Sequence, residues 1–209
     1  MKIRQKITGT ADGRGYVLMA ALAFFHFVFL GTEYLFDDMM ALVTEPARVV
    51  TAQGYVLGAS VLGFLLYPAV VSGMERKRER AVADLHTIRG TGGMLPVFAG
   101  ALAGIICIFV MWQHASYGML LIAGCLCFIL LGMGGSAVHY GLSLAVKERY
   151  LAKTVGVSYG VGICLQFLNH QLVQNDMAES VVLAVSAAVF AVLLLRAGVG
   201  QERTETLDR

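Results

Sequence analysis

YGMLLIAGCLCFILLGMGGSAVHYGLSLAV, residues 117–146, is a run of thirty residues without one Asp, Glu, Lys or Arg. At 1.5 Å of rise per residue, about 20 apolar residues span the roughly 30 Å hydrocarbon core of a bilayer. This run exceeds that, so it is expected to tilt or to project beyond the bilayer. Working outward, comparable runs lie at about 15–36, 54–72, 95–112, 150–170 and 178–199. Six such runs in 209 residues leave an arm at 1–14, a membrane domain at 15–199 and a tail at 200–209. The expected class is an all-α integral membrane protein with six transmembrane helices.

Composition agrees. The chain is 57% hydrophobic and only 14% charged, against about 25% charged residues in an ordinary soluble domain. Its mean hydropathy is +0.71. The net charge of +2 points to no nucleic-acid contact, because the basic residues flank apolar runs. Lys2, Arg4, Lys6 and Arg14 followed by Ala21-Leu22-Ala23 mimic a signal peptide. Only Tyr16 to Ala20 precede the triplet, however, and the apolar run continues to Leu30, so a retained first helix is expected. Cys107, Cys125, Cys127 and Cys164 lie inside apolar runs without a C-x-x-C pair. They are expected to be buried, reduced packing residues.

Basic residues set the expected orientation. Fifteen of the sixteen fall in the N-terminal arm, the segment from Gly73 to Arg89, the turn holding Lys147, Arg149 and Lys153, and the end of the chain from Arg196. Only Arg48 lies on the other side, beside Glu33, Asp37, Asp38 and Glu45. The positive-inside rule then puts both termini in the cytoplasm and the chain in the cytoplasmic (cell inner) membrane.

Polar residues inside the runs are the candidate site. His26, Glu33 and Asp37 are spaced i, i+7, i+11, which places them within about 40° of one helix face. Ionisable groups at membrane depth are costly and face a cavity or a partner helix. A carboxylate near an imidazole can hold a cation or an amine, or pass a proton. The alternative is that Glu33 and Asp37 sit at the interface and His26 is a hydrogen-bonded core residue. In the fourth run, Gly132-Met133-Gly134-Gly135-Ser136 precedes His139, Tyr140 and Ser143, and Ser136, His139 and Ser143 share a face. In the fifth, Tyr159, Gln166 and His170 do so, with Asn169 beside them. A polar interior lined by the first, fourth and fifth runs is expected, with His26, Glu33, Asp37, Ser136, His139, Tyr159 and Gln166 as its substrate-binding residues. The alternative is ordinary interhelical hydrogen bonding. Gly54/Gly58, Gly100/Gly104 and Gly156/Gly160 have the small-xxx-small spacing of closely packed helices.

Enzyme signatures are missing: Gly134-Gly135-Ser136-Ala137 lacks the last glycine of a Gly-x-Ser-Gly element, and no H-E-x-x-H or phosphate-binding loop occurs. No catalytic residue, cofactor or metal is expected. A weak internal repeat pairs the first and fourth runs, each long with one histidine, and the glycine-rich second and fifth. Two inverted three-helix units are a common transporter plan.

Six spans with both ends inside, basic segments after the second and fourth, and the stretch Gly134 to Gln166 with Tyr140, Lys147, Arg149 and Gly156-Val-Ser-Tyr-Gly-Val-Gly-Ile-Cys-Leu-Gln166 resemble the N-terminal half of a major facilitator superfamily transporter. The family's loop signature after the second helix is G-x-x-x-D-R-x-G-R-K. Ser72-Gly73-Met74-Glu75-Arg76-Lys77-Arg78 keeps an acidic–basic cluster but lacks the Asp and the second glycine. Gly160 is followed by Val161 where the antiporter signature has Gly-Pro, so antiport is not implied. The resemblance implies binding and translocation of a small solute, as a parallel homodimer or with a C-terminal half supplied elsewhere. The chain is also similar to the membrane domains that precede the DNA-binding module in some LuxR-type regulators. That likeness implies ligand sensing within the membrane.

Overall fold

The computed structural model describes residues 13–82, 116–173 and 175–197. These form five helices: α1 (Gly13–Val43), α2 (Pro46–Val82), α3 (Tyr117–Ala145), α4 (Glu148–Leu172) and α5 (Asp176–Arg196). There is no strand among the described residues. All five are long and apolar enough to cross a membrane, the apolar part of α2 being Pro46–Val70. The expected run at 95–112, with Gly100, Gly104 and Cys107, lies outside the described residues, as do residues 1–12 and the tail; Gly13 and Arg14 of the expected arm belong to α1. α3, α4 and α5 are the fourth, fifth and sixth runs.

The largest departure from expectation is the join of α1 and α2. Residues 37–53 were expected to link two spans, yet both helices extend into them and only Thr44 and Glu45 remain between. Pro46 explains the restart: its fixed φ suits the first turn of a helix, where its missing N–H is not needed. The Arg48 and Val49 amides both donate to the Glu45 carbonyl, at 2.9 and 3.1 Å. Asp37 and Asp38 are therefore helical. α1, at 31 residues, measures about 46 Å and outruns the hydrocarbon.

α1 is the hub. It packs along α3, α4 and α5, whereas α2 packs mainly on α3. One apolar cluster, including Phe36, Met40, Val56, Phe128 and Leu183, fills the half of the bundle where α1 ends. A second, including Leu18, Leu22, Phe25, Leu142 and Phe190, fills the half where α1 begins. The outer surface stays greasy: Leu62 and Leu65 of α2, Ile122 of α3, Phe167 of α4 and Val185 of α5 are all exposed. A helix apolar on every side suits lipid, which does not require a polar outer face.

Glycines set the close crossings, but not those marked by spacing. A methyl on Gly63 of α2 would run into the backbone carbonyl of Ile129, and one on Gly132 of α3 into that of Ser60. The two helices thus touch backbone to backbone. Gly135 gives room to the Phe25 ring, 2.6 Å from a would-be Cβ, and Gly134 to Phe190 at 3.2 Å. The glycine run of α3 therefore seats α2, α1 and α5 on successive faces. On α4, Gly162 lies against α1, its would-be Cβ 2.7 Å from His26 Cβ and 3.0 Å from the Ala23 carbonyl oxygen. Gly54, Gly58, Gly156 and Gly160 have nothing within 4 Å among the described residues, so their spacing does not mark the crossings seen within this bundle. Spacing shows that a backbone can be approached; it does not show which face meets a neighbour. Cys127 is buried as expected, whereas Cys125 is only half-buried and Cys164 is exposed on α4.

Candidate functional site

Two polar sites lie along α1, one about halfway and one at its C-terminal end. The buried face of α4 is Ser158, Gly162, Gln166 and Asn169, a helical 4-4-3 spacing that runs along α1. Ser158 Oγ donates to the Met19 carbonyl at 3.0 Å. Gly162 then allows contact with His26, and Gln166 lies beside Gly31, its Oε1 2.7 Å from a would-be Cβ there.

At the halfway level the expected histidines meet. The rings of His26 and His139 are edge-to-face with centroids 6.3 Å apart. Tyr159 packs edge-on against His26 at 4.9 Å. Phe25 lies 5.3 Å from His26 and 6.4 Å from His139, and Phe64 of α2 lies 6.0 Å from His139. His139 Nδ1 is 2.7 Å from the Gly135 carbonyl oxygen. A carbonyl only accepts, so in this contact Nδ1 donates, which leaves Nε2 as the nitrogen that faces any other partner. His26 Nε2 is buried without a hydrogen-bond partner. Tyr159 is 47% exposed, so the cluster opens at the bundle surface. Chemically it offers two imidazoles and aromatic faces, a set that can hydrogen-bond and stack on a small solute.

The other expected residues fall elsewhere. Glu33 does not meet His26; its Oε1 accepts from Gln53 Nε2 of α2 at 3.0 Å. Helical drift over seven residues, together with the extension of α2, turns it to a different neighbour. Asp37 is half-buried, with Oδ1 buried and lacking a hydrogen-bond partner. Ser136 is buried on α3. Ser143, expected on the same face, is exposed and donates back to the Tyr140 carbonyl at 2.8 Å.

Gln166 belongs to the second site. Gln166 Nε2 and Asn169 Nδ2 both donate to Glu179 Oε1, at 3.1 and 2.9 Å. Glu179 is only 3% exposed. It lines a cavity of about 340 Å³ with Asp38, His170, Gln171, Val173 and Asp176. The ring of Tyr34 stacks on His170 at 6.1 Å. No set of His, Cys, Asp and Glu able to hold a metal occurs among the described residues. The sequence reading did not single out Glu179, although a carboxylate just inside the sixth run was a usable signal. Gln53 was missed because its segment was read as a loop.

No protein family, no curated protein and no solved structure matches the chain.

Proposed function

We propose that this chain is a membrane solute carrier of the facilitator type, which binds a small solute at the face shared by His26, His139 and Tyr159 and moves it across the cytoplasmic membrane. The observation that carries this reading is the convergence of these three side chains from α1, α3 and α4. At least one buried ring nitrogen there, His26 Nε2, has no protein partner. A buried polar atom without a partner is costly unless something else satisfies it. Six spans with both termini inside remain the topology of this proposal, with the solute alternately exposed to each side.

The packing pattern supports two inverted three-helix units. α4 lies along α1 as α2 lies along α3, which is the exchange expected when the first and fourth spans, and the second and fifth, are equivalent. The crossings also correspond, with Gly162 against α1 and Gly63 against α3. In this arrangement the exposed faces of α2 and α4 would meet either a second parallel copy or a C-terminal half.

The test uses the purified chain in proteoliposomes and a panel of radiolabelled amino acids, sugars and nucleosides. At least one should accumulate above the level in empty vesicles. His26→Ala and His139→Ala should each lower its uptake roughly fivefold or more, the loss expected for one buried hydrogen bond. Helix content should be unchanged. Uptake indifferent to both substitutions would refute the site; binding without uptake would replace transport with sensing.

A further inference from the structure

We infer that the cavity at the C-terminal end of α1 is a binding site for a primary ammonium group, with Glu179 as its anion. This site lies at a different level from the His26–His139–Tyr159 face, and its test is independent of solute uptake.

Glu179 is buried, yet both of its hydrogen bonds go to one oxygen. Its Oε2 receives no hydrogen bond and no basic side chain among the described residues. Oε2 is not sealed in the core but reached from the cavity that Glu179 lines, so a cation there would complete a carboxylate whose other oxygen is already used. Helix capping does not account for the group. Asn175 already caps α5, its side-chain oxygen accepting from the Met177 and Ala178 amides at 2.8 and 3.4 Å. Nor is a charge required to tie α4 to α5, since a neutral amide oxygen would also accept from Gln166 and Asn169, though more weakly. What the carboxylate adds is a second, charged oxygen on a residue that lines the cavity.

The cavity wall matches one ligand class. Asp38, Asp176 and Glu179 are acidic; His170 is the one basic residue in the lining, and no Lys or Arg lines it. This favours a cation electrostatically. The volume of about 340 Å³ falls within the range of small-molecule sites. The acidic groups are not placed to share one metal ion. An ammonium head instead reaches Glu179 Oε2 with one N–H and leaves others for the rim. His170, which lines the cavity, is itself stacked on Tyr34, so an aromatic face lies next to the lining. With both termini cytoplasmic, the cavity opens to the outer side of the membrane, so the amine would arrive from outside.

The experiment is thermal unfolding of the full chain in nanodiscs, titrated with ethanolammonium chloride, with sodium chloride at matched ionic strength and calcium chloride as controls. Ethanolammonium should raise the unfolding temperature saturably, beyond either control. Glu179→Gln keeps the acceptor for Gln166 and Asn169, so it should fold, and should weaken the apparent affinity roughly tenfold or more, as for a lost charged hydrogen bond. Should that variant fail to fold, the rim double variant Asp38→Asn/Asp176→Asn tests the same charge field and should also weaken binding. Stabilisation no greater than that from sodium, saturation by calcium alone, or an ethanolammonium affinity unchanged in the variants that fold would each overturn the site.

Discussion

A single methyl at Gly132 should unseat α2 from α3. A Cβ there overlaps the Ser60 carbonyl, with the Ser60 carbonyl carbon at 2.9 Å and the Phe64 amide nitrogen at 3.0 Å. These are backbone atoms of a helix, so no rotamer change relieves them. Ordinary carbon contacts lie at about 3.5–4.0 Å, so α2 must retreat by roughly 1 Å along the whole crossing. The reciprocal contact at Gly63 against Ile129 loosens with it. Overpacking of a dense interface costs about 1–3 kcal/mol, and Gly132→Ala should fall at the upper end. Gly58→Ala is the matched control: it has the same chemistry on a neighbouring helix, with nothing within 4 Å among the described residues. It should be neutral, or stabilising by up to about 1 kcal/mol through helix propensity. The assay is far-UV circular dichroism during titration of mixed micelles with dodecyl sulfate. Gly63→Ala combined with Gly132→Ala should cost less than the sum of the two, because one retreat of α2 accommodates both methyls. Wild-type stability in Gly132→Ala, or an equal loss in Gly58→Ala, would refute the backbone-to-backbone crossing.

Two further outcomes are expected. Glu33 and Gln53 tie α1 to α2 through one hydrogen bond of 3.0 Å, so a double-mutant cycle with Glu33→Gln and Gln53→Ala should give a coupling of about 0.6 kcal/mol and no more than about 1.7 kcal/mol; zero coupling would mean the pair is not formed in the bilayer. A cysteine at Asn175, in a cysteine-free background, should react with an impermeant thiol reagent in intact cells and one at Lys147 should not, as the one-sided placement of Lys and Arg requires; the reverse pattern would invert every assignment of side.

Much of the fold was legible because the bilayer demands long apolar runs, and these survive reading without neighbours. α3 follows the charge-free stretch that begins at Tyr117. The join at Thr44–Glu45 was not legible, since Asp37, Asp38, Glu45 and Gln53 look like a loop until two helices are seen to continue past the hydrocarbon. Helix-face arguments were weaker still. His26, Glu33 and Asp37 share a face by angle, yet over eleven residues that face passes from α4 and α3 to α2. The pairing of His26 with His139 depended on which helices are neighbours, and periodicity does not carry that. Glu179 could have been found by asking which carboxylate falls within an apolar run. The answer was hidden by its place at the edge of one.

The two glycine-based crossings are alike in packing and unlike in polarity, and this difference bears on where function resides. At the α2–α3 crossing, Gly63 and Gly132 meet carbonyls among apolar neighbours, and the polar tie between Glu33 and Gln53 lies well away from it. Along the α1–α4 seam, close approach and polarity coincide. Ser158 bonds the Met19 carbonyl, Gly162 admits His26, and Gln166 fits beside Gly31 with its Oε1 buried and unpartnered. A bundle needs only the first kind of seam for stability, because apolar packing suffices in lipid and buried polar groups add little. The polar groups of the second seam run from the His26 cluster to the Glu179 cavity without a step that packing requires. On the proposed function, a seam closely packed by glycine and lined by incompletely satisfied polar groups is the one the solute would use, since the protein has not completed those hydrogen bonds itself. Binding then follows the α1–α4 seam, with His139 of α3 completing the halfway cluster and Glu179 of α5 the cavity at the end of α1, and α2 serves as frame.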